Sequence, residues 1–424
     1  MEMNWKTIFV IVCALVLIQS VSASTAKEYR FDFSKPTIRD AGGGFLRVEM
    51  ENLYSYGAPG EPILPLKTVK LLVPPHSRVL DVDVEGFDEE IIKLKGVVEP
   101  GQTPVPISSK KKFRVTSPSD EIYSSSREFP SEDFVVPVGV QDMRGYRILF
   151  VNLNPVKYSP SENTLSYYAR MTVTLTLEEP ESKALEKKPV GLFRNKRVDE
   201  DAVRGVVDNP GEIRSYKSVD ESDGMKSTSL VNSSESYDYV IITDNTLNSS
   251  AGAYTFHNLS VWKNSRGVDT TIVTVEQIMA DPDYECNGTF GDGCSIPEYN
   301  DTAAHIRNFI KDAYLNWGVT YVLLGGDVSV MPARGFYGYV ASDPPENDTN
   351  IPADQYYAAL NGSWNADNDS LWGEYDEMDL LEEVYVGRAP VETDTELSNF
   401  VRKTIHYESL SNEVPYLQKA LRMR

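Results

Sequence analysis

The run Asn365-Ala-Asp367-Asn-Asp369-Ser-Leu-Trp-Gly-Glu374-Tyr-Asp376 places carboxylates and a carboxamide at closely spaced positions along one polar stretch. Hard oxygen donors spaced this way on a loop can wrap a calcium ion, which takes roughly six to eight of them. The EF-hand pattern is not met, because Ser370 stands where that loop calls for glycine. A solvated acidic loop accounts for the same residues. The run therefore marks Asn365, Asp367, Asp369, Glu374 and Asp376 as candidate calcium ligands and goes no further.

Thiol and imidazole chemistry finds less support. Cys286 and Cys294 lie close together in a glycine-rich loop. In an oxidising compartment two such cysteines are expected to pair and close a small loop. A free nucleophile or half of a metal site are the alternatives, and neither has a histidine near it in sequence. His76 falls in a β-rich region and His257, His305 and His406 on expected helices. None has a Cys, Ser or Asp placed to suggest a dyad or triad, and the three helical ones read as surface or half-buried.

The remaining candidate is Tyr321-Val-Leu-Leu-Gly325-Gly326-Asp327. Its apolar half suits a strand buried on both faces, in the middle of a parallel sheet. Two glycines then allow a sharp turn at the carboxyl end, where open α/β sheets place their binding sites. Gly325, Gly326 and Asp327 are expected to shape the rim of a site as a tight turn, not to perform its chemistry. No phosphate-loop pattern is present, which argues against nucleotide binding there.

Residues 237–424 carry the alternation that such a strand needs around it. Tyr239–Thr243 and Thr270–Val275 read as strands, and Ala251–Arg266 as a helix stopped by Gly267. Asn300 or Asp301 caps a helix whose Ile306, Phe309, Ile310, Ala313 and Trp317 form one apolar stripe ending at Gly318. A long polar loop precedes the strand Glu383–Val386, and Thr393-Asp-Thr-Glu396 is a capping box for a last helix. Strands alternating with helices predict βαβ units and a largely parallel sheet.

Residues 24–179 read differently. Thr68–Val73, Val79–Val84, Phe134–Val138, Tyr146–Leu153 and Met171–Leu177 are short, rich in β-formers and partly alternating. They predict an all-β sandwich domain. Residues 180–236 have linker composition. Within them, Arg194-Asn-Lys196-Arg197 reads equally as a processing site and as a solvated charge run.

A chain of 424 residues is long enough for two or three domains. The formal net charge of -22 argues against nucleic-acid and anionic-membrane partners. Residues 1–23 have the parts of a signal peptide: Lys6, the apolar run Ile8–Ile18 and the small-residue site Val21-Ser-Ala23. That run is short for a membrane span and no later stretch is long enough, so a secreted or cell-surface location is expected. Sequons at Asn232, Asn248, Asn258, Asn287, Asn300, Asn347, Asn361 and Asn368 make glycosylation the expectation in a host that glycosylates. Tyr416–Leu421 is regaining apolar character where the chain stops at Arg424, so the sheet is expected to be completed by residues beyond it.

Five stretches occur in the order seen in gingipain-like cysteine peptidases. They are Tyr237-Asp-Tyr-Val-Ile-Ile-Thr243, Tyr321–Asp327, Ile351-Pro-Ala-Asp-Gln-Tyr-Tyr357, Val384-Tyr-Val-Gly-Arg-Ala-Pro390 and Lys403-Thr-Ile-His-Tyr-Glu408. The β domain resembles that family's pro-domain in Gly60-Glu-Pro-Ile-Leu-Pro65, Val73-Pro74 and Asn154-Pro-Val-Lys-Tyr158. The resemblance implies a β-sandwich pro-domain restraining a caspase-like α/β peptidase until it is cut away. It implies protein or peptide substrates and a Cys thiolate assisted by His, with no cofactor required for the chemistry. In the family that His precedes a Gly at one strand end and the Cys follows the next strand. Neither motif occurs here; His406 matches only the helix motif, and Cys286 and Cys294 match neither position. No catalytic residue is assigned, and the dyad is expected beyond Arg424. A non-catalytic, glycosylated adhesin or surface-layer module on the same fold is the alternative function.

Overall fold

A computed structural model of the chain describes residues 24–105, 115–131, 135–180, 188, 190–220, 230–294, 296–342 and 344–410. The leader, residues 1–23, and the run Tyr416–Leu421 lie outside the described residues.

Two long strands, Arg78–Lys93 and Thr164–Glu178, pair antiparallel along their whole length. Ser24–Asp32 and Val156–Ser159 pair with the second of them. In Thr164–Glu178, Met171, Val173, Leu175 and Leu177 are buried while the residues between are half-buried, the period of two that sends alternate side chains to one face. That face meets Val69, Leu71, Leu149, Val151 and Leu153 of a second antiparallel sheet, ordered Tyr54–Tyr56, Leu64–Leu72, Tyr146–Leu153, Val135–Met143. Two antiparallel sheets over one core form the expected all-β sandwich.

In the second half, four strands are all parallel, in the order Thr270–Thr274, Tyr239–Thr243, Tyr321–Gly325, Tyr385–Ala389. Tyr321–Gly325 is an inner strand. Val322 and Leu324 pack on one face with Ile306, Phe309 and Ile310 of the helix Thr302–Asp312. On the other face Leu323 lies with Phe256 and Leu259 of the helix Phe256–Ser265 and Leu397 and Val401 of the helix Asp394–Ser409. Helix starts follow the caps. Thr255 pairs with Asn258 and Thr393 with Glu396 in capping boxes, and Asp301 accepts the Ala304 N–H at 2.9 Å. The first of these helices begins at Phe256 and not near Ala251, because its cap is Thr255.

Two expectations are corrected. The stretch expected as a long polar loop contains a hairpin, Arg334–Val340 with Glu346–Ala353, and a helical turn Gln355–Ala358 that buries Tyr356 and Tyr357. Residues 190–220, expected to be a solvated linker, carry a helix (Arg197–Arg204) and a 3-10 segment (Pro210–Ser218). Phe193, Val203, Ile213 and Tyr216 of this stretch bury themselves with Leu72, Met143, Tyr146 and Ile148 of the sandwich. Its apolar anchors are few and widely spaced, so average composition conceals them.

Candidate functional site

The carboxyl ends of the parallel strands open into a groove of about 740 Å3 lined by Asp244, Val275, Glu276, Thr302, Ser329 and Pro332, among others. The first strand has one successor on one side and the next on the other, so this is the switch point at which open sheets bind ligands. The turn Gly325-Gly326-Asp327 forms part of the frame. A Cβ on Gly325 would lie 2.7 Å from Phe256 Cζ, and one on Gly326 would lie 2.6 Å from Val330 Cβ. Asp327 Oδ1 accepts from Ser329 N at 2.8 Å and from Ser329 Oγ at 2.6 Å, bonds that hold its pKa below the usual carboxylate value. Asp327 is committed to its turn.

Two charged residues that sequence reasoning did not single out support that rim. Arg388 Nε and Nη2 donate to Asp354 Oδ2 and Oδ1 at 2.8 and 2.6 Å, a two-pronged pair. Arg388 Nη1 donates to the carbonyls of Gly326 at 3.1 Å and Met331 at 2.6 Å. Arg388 and Asp354 thus join three of the five recurring stretches. The available signal was one acidic and one basic residue in otherwise apolar motifs.

In the acidic loop, one carboxylate oxygen from each of Asp367, Asp369 and Glu374 falls within 4.8 Å of the others. Asp376 stays outside that triplet. Partial desolvation and the charges of Asp369, Asp367, Glu377 and Asp376 raise the pKa of Glu374. Asn365 is buried; its Nδ2 donates to the Asp369 carbonyl at 2.9 Å, while its Oδ1 has no partner among the described residues. Arg307, itself buried, holds the approach to this loop by donating to the carbonyls of Tyr356, Ala359, Asn361 and Gly362. It also pairs with Asp292, between Cys286 and Cys294, which are joined as a disulfide as expected.

His257 and His406 are exposed, within the expected surface or half-buried range, whereas His305 is buried and falls outside it. Burial lowers its pKa and so favours the neutral ring. Six sequon asparagines are exposed; Asn361 and Asn368 are half-buried, and the Asn361 amide donates to buried Glu383.

Fold and rim define a two-unit chain, a β-sandwich followed by a parallel α/β domain with a framed groove at its carboxyl edge. Residues 232–423 match the model of peptidase family C25, and residues 14–198 match that of Propeptide_C25. The chain belongs to this gingipain-like peptidase family and includes its propeptide. Gingipain R1 of Porphyromonas gingivalis is 25% identical over 417 residues, covering 96% of this chain and 34% of that protein. Gingipain R2 of the same organism is 26% identical over 375 residues, covering 85% of this chain and 40% of that protein. The chain thus spans only about a third to two fifths of the length of these relatives. A solved complex of the pro- and mature domains of Porphyromonas gingivalis RgpB overlaps 45% of this chain and 96% of its own, at 17% identity and a TM-score of 0.34.

Proposed function

We propose that this chain is the front part of a secreted cysteine endopeptidase precursor that acts on protein substrates. The tandem match of a propeptide to the sandwich and a peptidase to the α/β domain carries this reading. The strand order around Tyr321–Gly325 supports a caspase-like arrangement, and the groove beside it is where a peptide chain would lie. The chemistry requires a Cys thiolate that attacks the peptide carbonyl and a His that returns the proton to the leaving amine. Cys286 and Cys294 are bonded to each other, so neither is available as that thiolate. The test uses the product of the extended reading frame. A peptidyl electrophile directed at cysteine is expected to label one residue, C-terminal to Arg424, and to abolish peptide hydrolysis. Absence of both labelling and hydrolysis after removal of the propeptide would leave the non-catalytic surface module standing.

We also propose calcium as a structural ligand of the acidic loop. The three converging carboxylates and the buried Asn365 Oδ1, unpartnered among the described residues, fit a hard, oxygen-seeking cation. Calcium at about a hundred times its dissociation constant is expected to stabilise the α/β domain by about 2.7 kcal/mol, seen as a rise in melting temperature. Asp369→Asn should remove most of that rise. A melting temperature indifferent to calcium and to chelator would defeat the idea.

A further inference from the structure

The basic run Arg194-Asn-Lys196-Arg197 meets the end of the helix that anchors the α/β core. That helix, Thr302–Asp312, continues through a π-helical turn, Ala313–Trp317, and stops at Gly318 with φ +82°. The last carbonyls of a helix lack partners within it and carry the negative end of its dipole. Here Arg194 Nη1 donates to the carbonyls of Tyr314 at 2.9 Å and Val319 at 3.0 Å, and Lys196 Nζ to that of Gly318 at 3.4 Å. The Arg194 guanidinium lies 3.4 Å from the centroid of the Tyr314 ring. A Cβ on Gly318 would meet Lys196 Nζ in this position, so the missing side chain leaves that space to the lysine. Asp199 fixes the Arg194 fork from behind, at 2.9 and 2.8 Å, and both residues are buried.

The segment C-terminal to the basic run packs with the sandwich. Asp208 and Asn209 accept the backbone N–H groups of Lys70 and Leu72, and the Tyr216 hydroxyl donates to the Val73 carbonyl. Val219 is the last residue of this segment buried in that cluster, and Val231 is fully buried in the α/β core. The boundary between the two units therefore falls between Val219 and Leu230, beyond residue 198, where the propeptide match ends.

We propose that the basic run is a retention anchor and not a processing site. Scission that separates the units falls after Val219, and Arg194 with Lys196 then holds the propeptide on the peptidase by capping its helix. The assignment of the two units as propeptide and peptidase rests on the proposed function, but the anchor needs no activity and its test reads none.

The recognition sequence of a site-specific endopeptidase is placed between Val219 and Leu230 of the full chain. After cutting, the two pieces are run together by size exclusion at about 0.15 M salt. Without further substitution they are expected to co-elute. Arg194→Ala, which removes both charge-assisted bonds to the Tyr314 and Val319 carbonyls across the cut, should weaken their association by about a hundredfold. Because Arg194→Ala also empties a buried site, two milder changes are run beside it. Arg194→Lys keeps the charge but loses the fork, and Lys196→Ala alters a surface position; each should weaken association by about tenfold. The circular dichroism of the uncut chains serves as the fold control. Pieces that part without any substitution, or that stay together equally in all three variants, overturn the anchor. So does a tryptic cut within residues 194–197 of the folded chain.

Discussion

Asp199→Ala is expected to lower the unfolding free energy by roughly 3–5 kcal/mol, the cost of removing one partner from a buried charge network. Asp199 has no exposed surface and serves two arginines from different parts of the chain. Arg194 grips both carboxylate oxygens, and Arg144 Nη1, from the turn between the last two strands of one sandwich sheet, reaches Oδ1 at 3.1 Å. Without the carboxylate, two guanidinium charges are left in a dry interface. Arg144 has little to fall back on, since its Nε and Nη2 lack partners among the described residues, its Nη1 reaches the Val198 carbonyl only at 3.5 Å, and the Tyr385 ring lies at 4.8 Å. Asp199→Asn keeps the volume and one acceptor but not the charge, so an intermediate loss is expected. Urea unfolding followed by tryptophan and tyrosine fluorescence reads both variants. A midpoint unmoved in Asp199→Ala would show that water reaches the arginines and that the network is not closed.

That network also shows where sequence reading stops. The inner strand Tyr321–Gly325, the apolar stripe before it and the Thr393 capping box were legible because each is a local signal: a run, a period or a fixed spacing. The sandwich was legible in the alternation of Met171–Leu177. The pairing of Cys286 with Cys294 needed only proximity. Arg144, Asp199, Arg194 and Arg388 were not legible as structural residues. A charged residue in a polar stretch is ordinary, and its burial depends on partners that are distant in sequence. The linker reading of residues 180–236 failed over 190–220 for a related reason. There a handful of apolar side chains suffices, since the sandwich and not the stretch itself supplies the rest of the core. At the rim, the sequence identified the turn at Asp327 but not Arg388, whose role as its support depends on Asp354, 34 residues away.

Asp379→Asn is expected to stabilise the chain at and above neutral pH by roughly 1–3 kcal/mol and to flatten its stability profile below that. Asp379 lies where the α/β domain meets the sandwich; next to it, the Met378 carbonyl accepts from Gln141 Nε2 at 3.0 Å. Burial pushes its pKa up to about 7, despite a bond from the Leu381 N–H at 3.2 Å and the charge of Arg307. The neighbouring acids Asp142 and Glu382 push the same way. In the unfolded chain the group ionises near the ordinary value of about 4, so between about pH 4 and 7 the folded state holds a proton that the unfolded state has released. Stability therefore falls as pH rises through that window, and above it the full penalty remains. Asparagine can still accept the Leu381 N–H but has nothing to ionise, so it escapes the penalty. Glu383, fully buried and pushed up to about 8 by burial and by the charge of Asp379, continues the decline to about pH 8; in the variant that charge is gone and burial alone sets the slope that remains. Unfolding midpoints measured from about pH 4 to 9 separate the two groups. Superimposable profiles of variant and parent would mean that Asp379 titrates alike in both states, which would leave Glu383 as the source of the slope.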